Sequence, residues 1–323
     1  MASASIYEKT LRHFLKPIQP LLDDTTVSEV MVVGHRKIYF ERSGRIRPYD
    51  GSFASDASLM AAIRNIAEYT RRSIDGQHSL DARLPDGSRV HAIVPPASRV
   101  GPCLTIRKFS KATFDLTTLV DVGSLSMQAA SYLRKCVVTH KNILISGGTG
   151  TGKTSLLNAL SSAIPEDERV IVIEDSSELQ LNQDHTVYLE AQAADEQGIG
   201  QVTIRDLFVD SLRMRPDRII VGEVRRGEAL DLVQSMISGH PGSMTTLHAN
   251  TPNDAARRLE TLCLMSDTEL PIYVARAQVA SALDIVIQIA RHSDGSRKVV
   301  SIVKLDGLDD RNEYKWTDTD LAK

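Results

Sequence analysis

The most specific chemical pattern in this sequence occupies residues 147–154, directly after the apolar run 143–145. The residues are Gly147, Gly148, Thr149, Gly150, Thr151, Gly152, Lys153 and Thr154. They match G-x-x-x-x-G-K-[ST], in which glycines let successive backbone N–H groups converge on a polyphosphate. Lys153 would supply a charge for the β- and γ-phosphates of a nucleotide, and the Thr154 hydroxyl is the expected Mg²⁺ ligand. Ser155 lies in the first turn of the helix that follows, whose N-terminus favours an anion.

An accidental Gly/Thr turn is the alternative interpretation of this loop. The phosphate-binding function requires a buried strand before the loop and a helix after it, and the sequence predicts both. We therefore expect a nucleotide phosphate site at this position.

Three more predicted strands end in polar side chains, namely Glu174, Glu223 and His248. Ligands collect at the carboxyl ends of the strands in an open parallel sheet, so one pocket could gather all three beside the phosphate loop. Hydrolysis needs a water that is oriented and partly deprotonated, which a carboxylate can supply. We expect Glu223 in that role, Glu174 at the Mg²⁺ water shell or the nucleophile, and His248 as a sensor of the γ-phosphate.

Each of these residues also has a structural interpretation. A glutamate at a strand end often caps a helix or lies at the surface, and a single histidine is more often structural than catalytic. A Mg²⁺-binding strand usually ends in Asp-Glu, whereas Gly222 precedes Glu223. The metal should then be held mainly by Thr154, phosphates and water, with Glu174 as a further candidate.

The elements that must position these residues alternate between strand and helix over 113–323. This alternation predicts an α/β domain with a mostly parallel sheet covered on both faces. Apolar spacing predicts helices over 126–138, 203–214, 228–238 and 272–283. Segments 285–290 and 298–305 should form a closing hairpin, and we expect the polar tail after Asp309 to be frayed.

The sequence predicts a smaller α+β domain over residues 1–112, and residues 110–113 should lie in the linker that connects it to the second domain. Segment 6–22 resembles an amphipathic helix broken near Pro17 and Pro20, and 55–69 is a helix with apolar residues at helical spacing. Short β-branched runs and turn residues predict a mixed or antiparallel sheet. Arg89 and Arg107 lie on predicted strands, where a rigid backbone can hold a guanidinium fork toward phosphate.

The composition narrows the class of protein. A formal net charge of −3 over 323 residues supplies no general field for nucleic acid, so we expect no strong nucleic-acid binding. Three cysteines without a C-x-x-C pair argue against a zinc ribbon or a disulfide framework and suit a reducing compartment. The first residues lack the pattern of a secretory signal, and no apolar run is long enough to span a bilayer. We expect a cytoplasmic protein whose membrane association is peripheral.

Four segments in this order resemble the Walker A, Asp box, Walker B and His box of the type II/type IV secretion ATPase superfamily. They are residues 147–154, 173–179, 213–223 and 239–250. In the first half, 80–90 and 104–109 resemble the CpaF branch, the pilus-assembly motors of tight-adherence systems. Pro241 stands where the family commonly has an acidic residue, and Arg226 where small residues are commoner.

The resemblance implies a RecA-like P-loop NTPase domain preceded by a smaller, PAS-like α+β domain. It also implies a homohexamer that hydrolyses ATP with Mg²⁺, in which N-terminal arginines approach the γ-phosphate. By motif position these are Arg89 and Arg107, with Arg83 as a further candidate. Partners would be inner-membrane platform or secretion-machine proteins.

Three rival functions remain open. A conjugative or type IV secretion ATPase of the same superfamily would share every motif of the ATP site. Residues 303–307 suggest a GTPase as the second rival, because they approximate the guanine-reading [NT]-K-x-D motif. Val303, however, lacks the polar side chain that the first position of this motif requires. A nucleic-acid translocase would use a similar core, but the near-neutral charge disfavours it.

Overall fold

The computed structural model describes residues 9–70, 72–109, 115–192, 194 and 198–322. The chain divides into two compact units, residues 1–111 and 112–323, called here the N-terminal and the C-terminal unit. The predicted linker over 110–113 lies outside the described residues. None of the helices in the described ranges combines the length and the apolar character that a bilayer-crossing segment needs.

The N-terminal unit is built on a six-stranded sheet in the order β3-β2-β1-β6-β5-β4. Its strands are β1 (Val27–Val33), β2 (Lys37–Arg42), β3 (Arg45–Tyr49), β4 (Ser79–Arg83), β5 (Arg89–Ile93) and β6 (Cys103–Arg107). All neighbouring strands pair antiparallel. Along β1 the buried residues Val30 and Val32 alternate with more exposed ones, as expected when one face of a sheet packs on a core.

Helices complete that core. The described part of the predicted segment 6–22 is helical over 9–14 and continues as a 3₁₀ turn (Lys16–Ile18) and α1 (Gln19–Asp23). The 3₁₀ turn and α1 each have a proline in their first turn. The longest helix, α2 (Asp56–Tyr69), begins at a capping box between Ser55 and Ser58. Its buried stripe packs in the same hydrophobic cluster as the strands and includes Leu59, Ile63 and Ile66.

The C-terminal unit is built on an eight-stranded sheet in the order β14-β13-β12-β7-β11-β10-β8-β9. Its strands are β7 (Ile143–Ser146), β8 (Val170–Glu174), β9 (Thr186–Glu190), β10 (Arg218–Val221), β11 (Met244–Leu247), β12 (Ile285–Arg291), β13 (Arg297–Leu308) and β14 (Tyr314–Asp318). The strands from β12 to β9 are mutually parallel, and β13 and β14 are antiparallel to their neighbours. The predicted, mostly parallel sheet is therefore confirmed.

Helices cover both faces of this sheet. They are α3 (Leu116–Asp121), α4 (Met127–Val138), α5 (Lys153–Ser161), α6 (Ile204–Ser211), α7 (Glu228–Ile237), α8 (Pro252–Cys263) and α9 (Ile272–Ala282). One hydrophobic cluster joins the sheet to α3, α4 and α5, and a second joins it to α6 through α9. Every residue of β7, β8, β10 and β11 is buried, because these strands are covered on both sides.

The prediction of a frayed tail after Asp309 is wrong. Residues 314–318 form β14, which pairs with β13. Tyr314 is 7% exposed, and its hydroxyl donates to Oε2 of Glu260 on α8 at 3.1 Å. Glu260 also accepts two hydrogen bonds from Arg276 on α9. Tertiary hydrogen bonds thus order β14, which the polar composition of the tail did not indicate.

Three further elements were not predicted, namely β3, β9 and α3. The strands β3 and β9 lie at sheet edges, where a strand has one hydrogen-bonded neighbour and a weaker apolar pattern. The predicted helix over 203–214 is shorter in the structure, ending at Ser211, and Arg215 has a positive φ of 54° just before Pro216. The predicted hairpin is confirmed as the antiparallel pair β12 and β13.

Candidate functional site

The carboxyl ends of four neighbouring strands bring together the predicted site residues of the C-terminal unit. β7, β11, β10 and β8 are adjacent in that order and parallel. The phosphate-loop residues follow β7, His248 follows β11, and Glu223 comes two residues after β10. Glu174 is the last residue of β8.

The loop itself connects β7 directly to α5. Gly152 is the N-cap residue of α5 with φ of 95°, a left-handed conformation that a glycine adopts without strain. Lys153 is buried, and its ammonium donates to the carbonyl oxygens of Gly147 and Gly148 at 3.1 and 2.9 Å. Thr151 Oγ1 donates to the same Gly148 oxygen at 2.9 Å. The remaining predicted loop residues are exposed or half-buried at the mouth of the loop, namely Thr149, Gly150, Thr154 and Ser155.

His248 joins the phosphate loop to Glu223. Its Nδ1 lies 3.3 Å from Nζ of Lys153, and its Nε2 lies 2.9 Å from Oε1 of Glu223. Burial lowers the pKa of His248 below its ordinary value, and the positive charge of Lys153 is the second cause of this shift. The ring is therefore neutral at pH 7. A neutral ring that accepts from the ammonium at Nδ1 carries its proton on Nε2 and donates it to the carboxylate.

Arg225 holds the other oxygen of Glu223. Its Nη2 and Nε donate to Glu223 Oε2 at 2.6 and 3.0 Å, and its Nη1 donates to Oδ2 of Asp175 at 2.7 Å. Both carboxylate oxygens of Glu223 are therefore engaged, and its side chain is only 16% exposed. Asp175, Glu223 and Arg225 line one wall of a cavity of about 670 Å³ in the C-terminal unit.

Glu174 is buried at the end of β8, and its contacts differ from those of Glu223. Its Oε1 accepts backbone N–H hydrogen bonds from Glu178 and Leu179 at 2.9 and 3.0 Å. Burial raises the pKa of Glu174 to about 7, while those two backbone donors oppose the shift. These contacts support the structural interpretation of Glu174, since one oxygen holds the segment after β8.

The structure also explains Gly222, the residue that departs from the usual Asp-Glu strand end. A Cβ atom at this position would lie 3.0 Å from Cγ and 3.4 Å from Oε1 of Glu174. Any side chain here would push against the buried glutamate, so the glycine leaves room for it. In addition, Thr246 Oγ1 donates to the Gly222 carbonyl at 2.8 Å, which ties the end of β10 to β11.

Comparison with known proteins decides the family. The model of the type II/IV secretion system protein family matches residues 13–318. This chain belongs to that family. It is 34% identical over 306 residues to the conjugal transfer protein TrbB of Rhizobium radiobacter, covering 92% of this chain and 88% of that protein. It is 35% identical over 322 residues to the type IV secretion system protein PtlH of Bordetella pertussis, covering 91% of this chain and 95% of that protein.

Among solved structures, this chain is similar to the ATPase DotB of Legionella pneumophila, with a TM-score of 0.66. The sequences are 19% identical, and the match covers 90% of this chain and 80% of that chain, so the likeness concerns the fold. The predicted fold class is confirmed: an α/β, RecA-like unit follows a smaller α+β unit. The superfamily resemblance is confirmed as well, whereas its narrower CpaF branch stays a prediction.

The predicted arginines of this secretion-family protein lie in one row of the N-terminal sheet. Arg83 pairs in register with Arg89, and Arg89 pairs with Arg107. Directly paired residues of antiparallel strands share a face, so the three side chains lie on the same side of the sheet. Arg107 is exposed, and Arg83 and Arg89 are half-buried. The next residue in the row is Glu29, opposite Arg107 on β1.

The family resemblance implies a Mg²⁺ ion, and the hydroxyl oxygen of Thr154 is the kind of ligand that this ion takes. Among the described ranges, no group of three or more His, Cys, Asp or Glu side chains could hold a metal ion by itself. Mg²⁺ usually retains several waters and is held by one or two protein oxygens together with substrate phosphates. The Thr154 hydroxyl, half-buried in the first turn of α5, is a donor of that kind.

Two site residues were missed by the sequence reasoning, namely Arg225 and Arg297. Arg225 is two residues after Glu223 in the segment between β10 and α7, and this short spacing could have indicated that the two side chains lie close together. Arg297 begins β13, and its Nε donates to the Gly150 carbonyl of the phosphate loop at 3.0 Å. No local signal marks Arg297, because its position depends on β12 pairing with β7.

Proposed function

We propose that this protein binds ATP with Mg²⁺ at residues 147–155 and hydrolyses it to ADP and phosphate. The observation that carries the proposal is the continuous set of contacts from Lys153 through His248 to Glu223. It joins the group that would bind the β- and γ-phosphates to the carboxylate that would activate water. Its residues follow three adjacent strands, so the sheet holds them in a fixed relationship.

In the proposed reaction Glu223 accepts a hydrogen bond from the attacking water and takes its proton as the bond to the γ-phosphorus forms. The bond from the γ-phosphorus to the β,γ-bridging oxygen breaks in the same step, and ADP leaves with that oxygen. His248 and Arg225 hold the carboxylate in position from its two oxygens. A bound γ-phosphate competes for the Lys153 ammonium, so the Lys153–His248 contact changes with the nucleotide. His248 would in this way report the state of the phosphate to Glu223. Mg²⁺, when bound, neutralises charge on the phosphate oxygens, with Thr154 as its protein ligand.

Glu174 has a secondary part in this proposal. Its predicted position near the water shell of the metal, or near the nucleophile, would use the oxygen that does not hold Glu178 and Leu179. We assign it mainly to shaping the end of β8, since burial raises the pKa of Glu174 to about 7 and leaves it partly protonated at neutral pH.

Domain closure is the proposed mechanical output. Arg89 and Arg107, with Arg83 beside them, would approach the γ-phosphate and lose that contact after hydrolysis. The clustering of three guanidinium groups on one sheet face supports this role. The ring would be a homohexamer in which residues 1–112 move against residues 113–323.

The machine that this motion drives belongs to secretion or filament assembly. We propose a cytoplasmic ATPase, peripheral at the inner membrane, that powers tight-adherence pilus assembly through an inner-membrane platform protein. The second candidate is a conjugative or type IV secretion ATPase, and it is favoured by the conjugal transfer and type IV secretion relatives. Purification of the protein with its membrane partners from the native host would separate the two.

The GTPase alternative loses support from the position of its motif. Residues 303–306 lie inside β13, and β12 separates β13 from the strand that carries the phosphate loop. Lys304 Nζ donates to Asp306 Oδ1 at 2.7 Å within that strand. The segment therefore has the contacts of a paired strand. Hydrolysis of GTP without hydrolysis of ATP would revive this function, and strong stimulation by single-stranded DNA would favour a translocase.

The deciding experiment compares Lys153→Ala with Glu223→Gln in the full chain. We expect Lys153→Ala to lose ATP binding, measured by titration calorimetry. Glu223→Gln should keep binding but release phosphate at least about 10²-fold more slowly, since it removes the general base. Normal turnover in Glu223→Gln would remove this residue from the catalytic role, and absence of ATP binding by the unmodified protein would end the proposal.

The arginine role is tested by Arg107→Ala, with Arg47→Ala on β3 of the same sheet as the matched control. We expect hydrolysis to fall in Arg107→Ala and to stay unchanged in Arg47→Ala. Light scattering after size-exclusion chromatography would report whether both variants assemble into the same oligomer. Equal activity in the two variants would reject the cross-domain contact.

A further inference from the structure

The closing hairpin of the C-terminal unit lies against the phosphate loop. β12 pairs with β7 up to Gln288 and Ser146 and then extends three residues further, beside the loop. A Cβ atom on Gly147 would lie only 2.5 Å from the Ile289 carbonyl oxygen. The loop therefore begins in direct contact with β12, on the side away from β11.

Arg297 at the start of β13 contacts the crest of the loop. Its Nε donates to the Gly150 carbonyl at 3.0 Å, and its Cδ would lie 3.3 Å from a Cβ on Gly152. The side chain is half-buried. A guanidinium in this position limits the movement of the crest.

Arg291 is the cross-strand partner of Arg297. Its Nη1 would lie 3.9 Å from a Cβ on Gly150, so a second guanidinium reaches the same crest, and this one is on an exposed residue. Like charges directly opposite each other destabilise a strand pair. Segment 291–298 contains one carboxylate, Asp294, against Arg291, Arg297 and Lys298. An anion beside the crest would offset this repulsion.

The strand order indicates which part of a nucleotide would reach this place. β7 lies between β11 and β12, and the catalytic candidates His248 and Glu223 follow β11 and β10. The γ-phosphate must face that side for Glu223 to act on its water. The nucleoside end of the same molecule must then leave on the opposite side, past β12 and the hairpin.

We propose that Arg291 binds the nucleoside monophosphate end of ATP, while Arg297 holds the crest of the phosphate loop for it. A guanidinium can both donate to an α-phosphate and stack on a purine ring. The proposal rests on the proposed nucleotide site and adds residues to it that lie outside the phosphate-loop motif. It also gives the hairpin a function beyond closing the sheet.

The test measures the dissociation constants of ATP and of inorganic pyrophosphate, which has no counterpart of the α-phosphate or the nucleoside, for the full chain by calorimetry, in a Glu223→Gln background that limits hydrolysis. Arg291→Gln should weaken ATP about tenfold or more, the loss of a charge-assisted contact, and leave pyrophosphate unchanged. Arg297→Gln should weaken both ligands, since it loosens the loop that both use. Arg311→Gln, an exposed arginine after β13, is the matched control and should change neither.

Unchanged ATP affinity in Arg291→Gln would overturn the proposal, and so would an equal loss for ATP and pyrophosphate. Circular dichroism of each variant confirms that the fold is kept, and Arg291→Gln decides the proposal if Arg297→Gln fails to fold. Failure of the nucleotide site itself has a different signature, since neither ligand would then bind the parent protein.

Discussion

Nε2 of His248 lies 2.9 Å from Oε1 of Glu223, so residues that follow two neighbouring strands are joined directly at the sheet edge. The other ring nitrogen of His248 faces the ammonium of Lys153. A change at the phosphate loop can therefore reach the proposed general base through one side chain. The phosphate loop, His248 and Glu223 are separate in the sequence, and these contacts join them into one site.

His248 should act on turnover more than on binding. In His248→Ala we expect kcat to fall by about 10- to 100-fold, the effect of losing a hydrogen bond to a charged group, with little change in KM. Steady-state phosphate release would measure both. The effects of His248→Ala and Glu223→Gln should be non-additive in a double-mutant cycle because the residues act together. Additive effects would argue that His248 works independently of Glu223.

Arg225 should hold Glu223 in its active orientation. Arg225→Gln removes a guanidinium that donates two hydrogen bonds to Glu223 Oε2 and one to Asp175, so the carboxylate loses its support on that side. We expect kcat to fall by about 10-fold or more with little change in KM, the effect of losing hydrogen bonds between charged groups. Steady-state phosphate release would measure both, and Arg226→Gln, at the neighbouring exposed arginine, is the control. An unchanged kcat in Arg225→Gln would contradict this role.

Glu174 should make stability pH-dependent. Burial raises the pKa of Glu174 from its ordinary value of 4.5 to about 7, so between these values the folded protein holds a proton that the unfolded chain releases. This contribution is complete below pH 4.5 and is lost as the pH rises through 7. Its full size is about 3 kcal/mol.

Glu174→Gln removes the titration and keeps an oxygen for the N–H groups of Glu178 and Leu179. Urea unfolding followed by Trp316, the single tryptophan, reports on the C-terminal unit. The free energy of unfolding of the parent should fall relative to the variant as the pH rises from 5 to 8. A constant difference across this range would show that burial of the carboxyl does not control stability.

Arg218 should be a major stabilising residue at the opposite end of β10. Its guanidinium is fully buried and donates to both oxygens of Glu168 at 2.8 and 3.0 Å, and to the carbonyls of Val137 and Gly242. Arg218→Ala removes the guanidinium partner of the buried Glu168, whose Oε1 also lies 3.2 Å from His140 Nε2, and should cost about 3–5 kcal/mol in urea unfolding. Arg213→Ala, in an exposed pair with Asp210, should change little. Equal losses in both variants would refute this distinction.

Local sequence patterns were sufficient for much of the chemistry. The phosphate loop is recognisable because its eight residues are contiguous and flanked by a buried strand and a helix. Glu223 and His248 could be nominated because each follows a short apolar strand, and parallel strands align their carboxyl ends. The broken helix near Pro17 and Pro20 was predictable for the same local reason.

Other features needed the tertiary structure. Tyr314 looked like part of a frayed tail, yet it is ordered by Glu260, far away in the chain. Gly222 looked like a departure from the motif, and only its closeness to the buried Glu174 explains it. Arg225 and Arg297 became part of the site through contacts to residues on other segments.

The sequence by itself determined which residues could bind phosphate and activate water, because those requirements are set by residue type and short spacing. The tertiary structure decided which of them meet. The order β12-β7-β11-β10-β8 arises from pairing between segments far apart in the chain, and this pairing depends on long-range packing that no local pattern encodes. It places Lys153, His248 and Glu223 within hydrogen-bonding reach and directs Glu174 to a backbone segment.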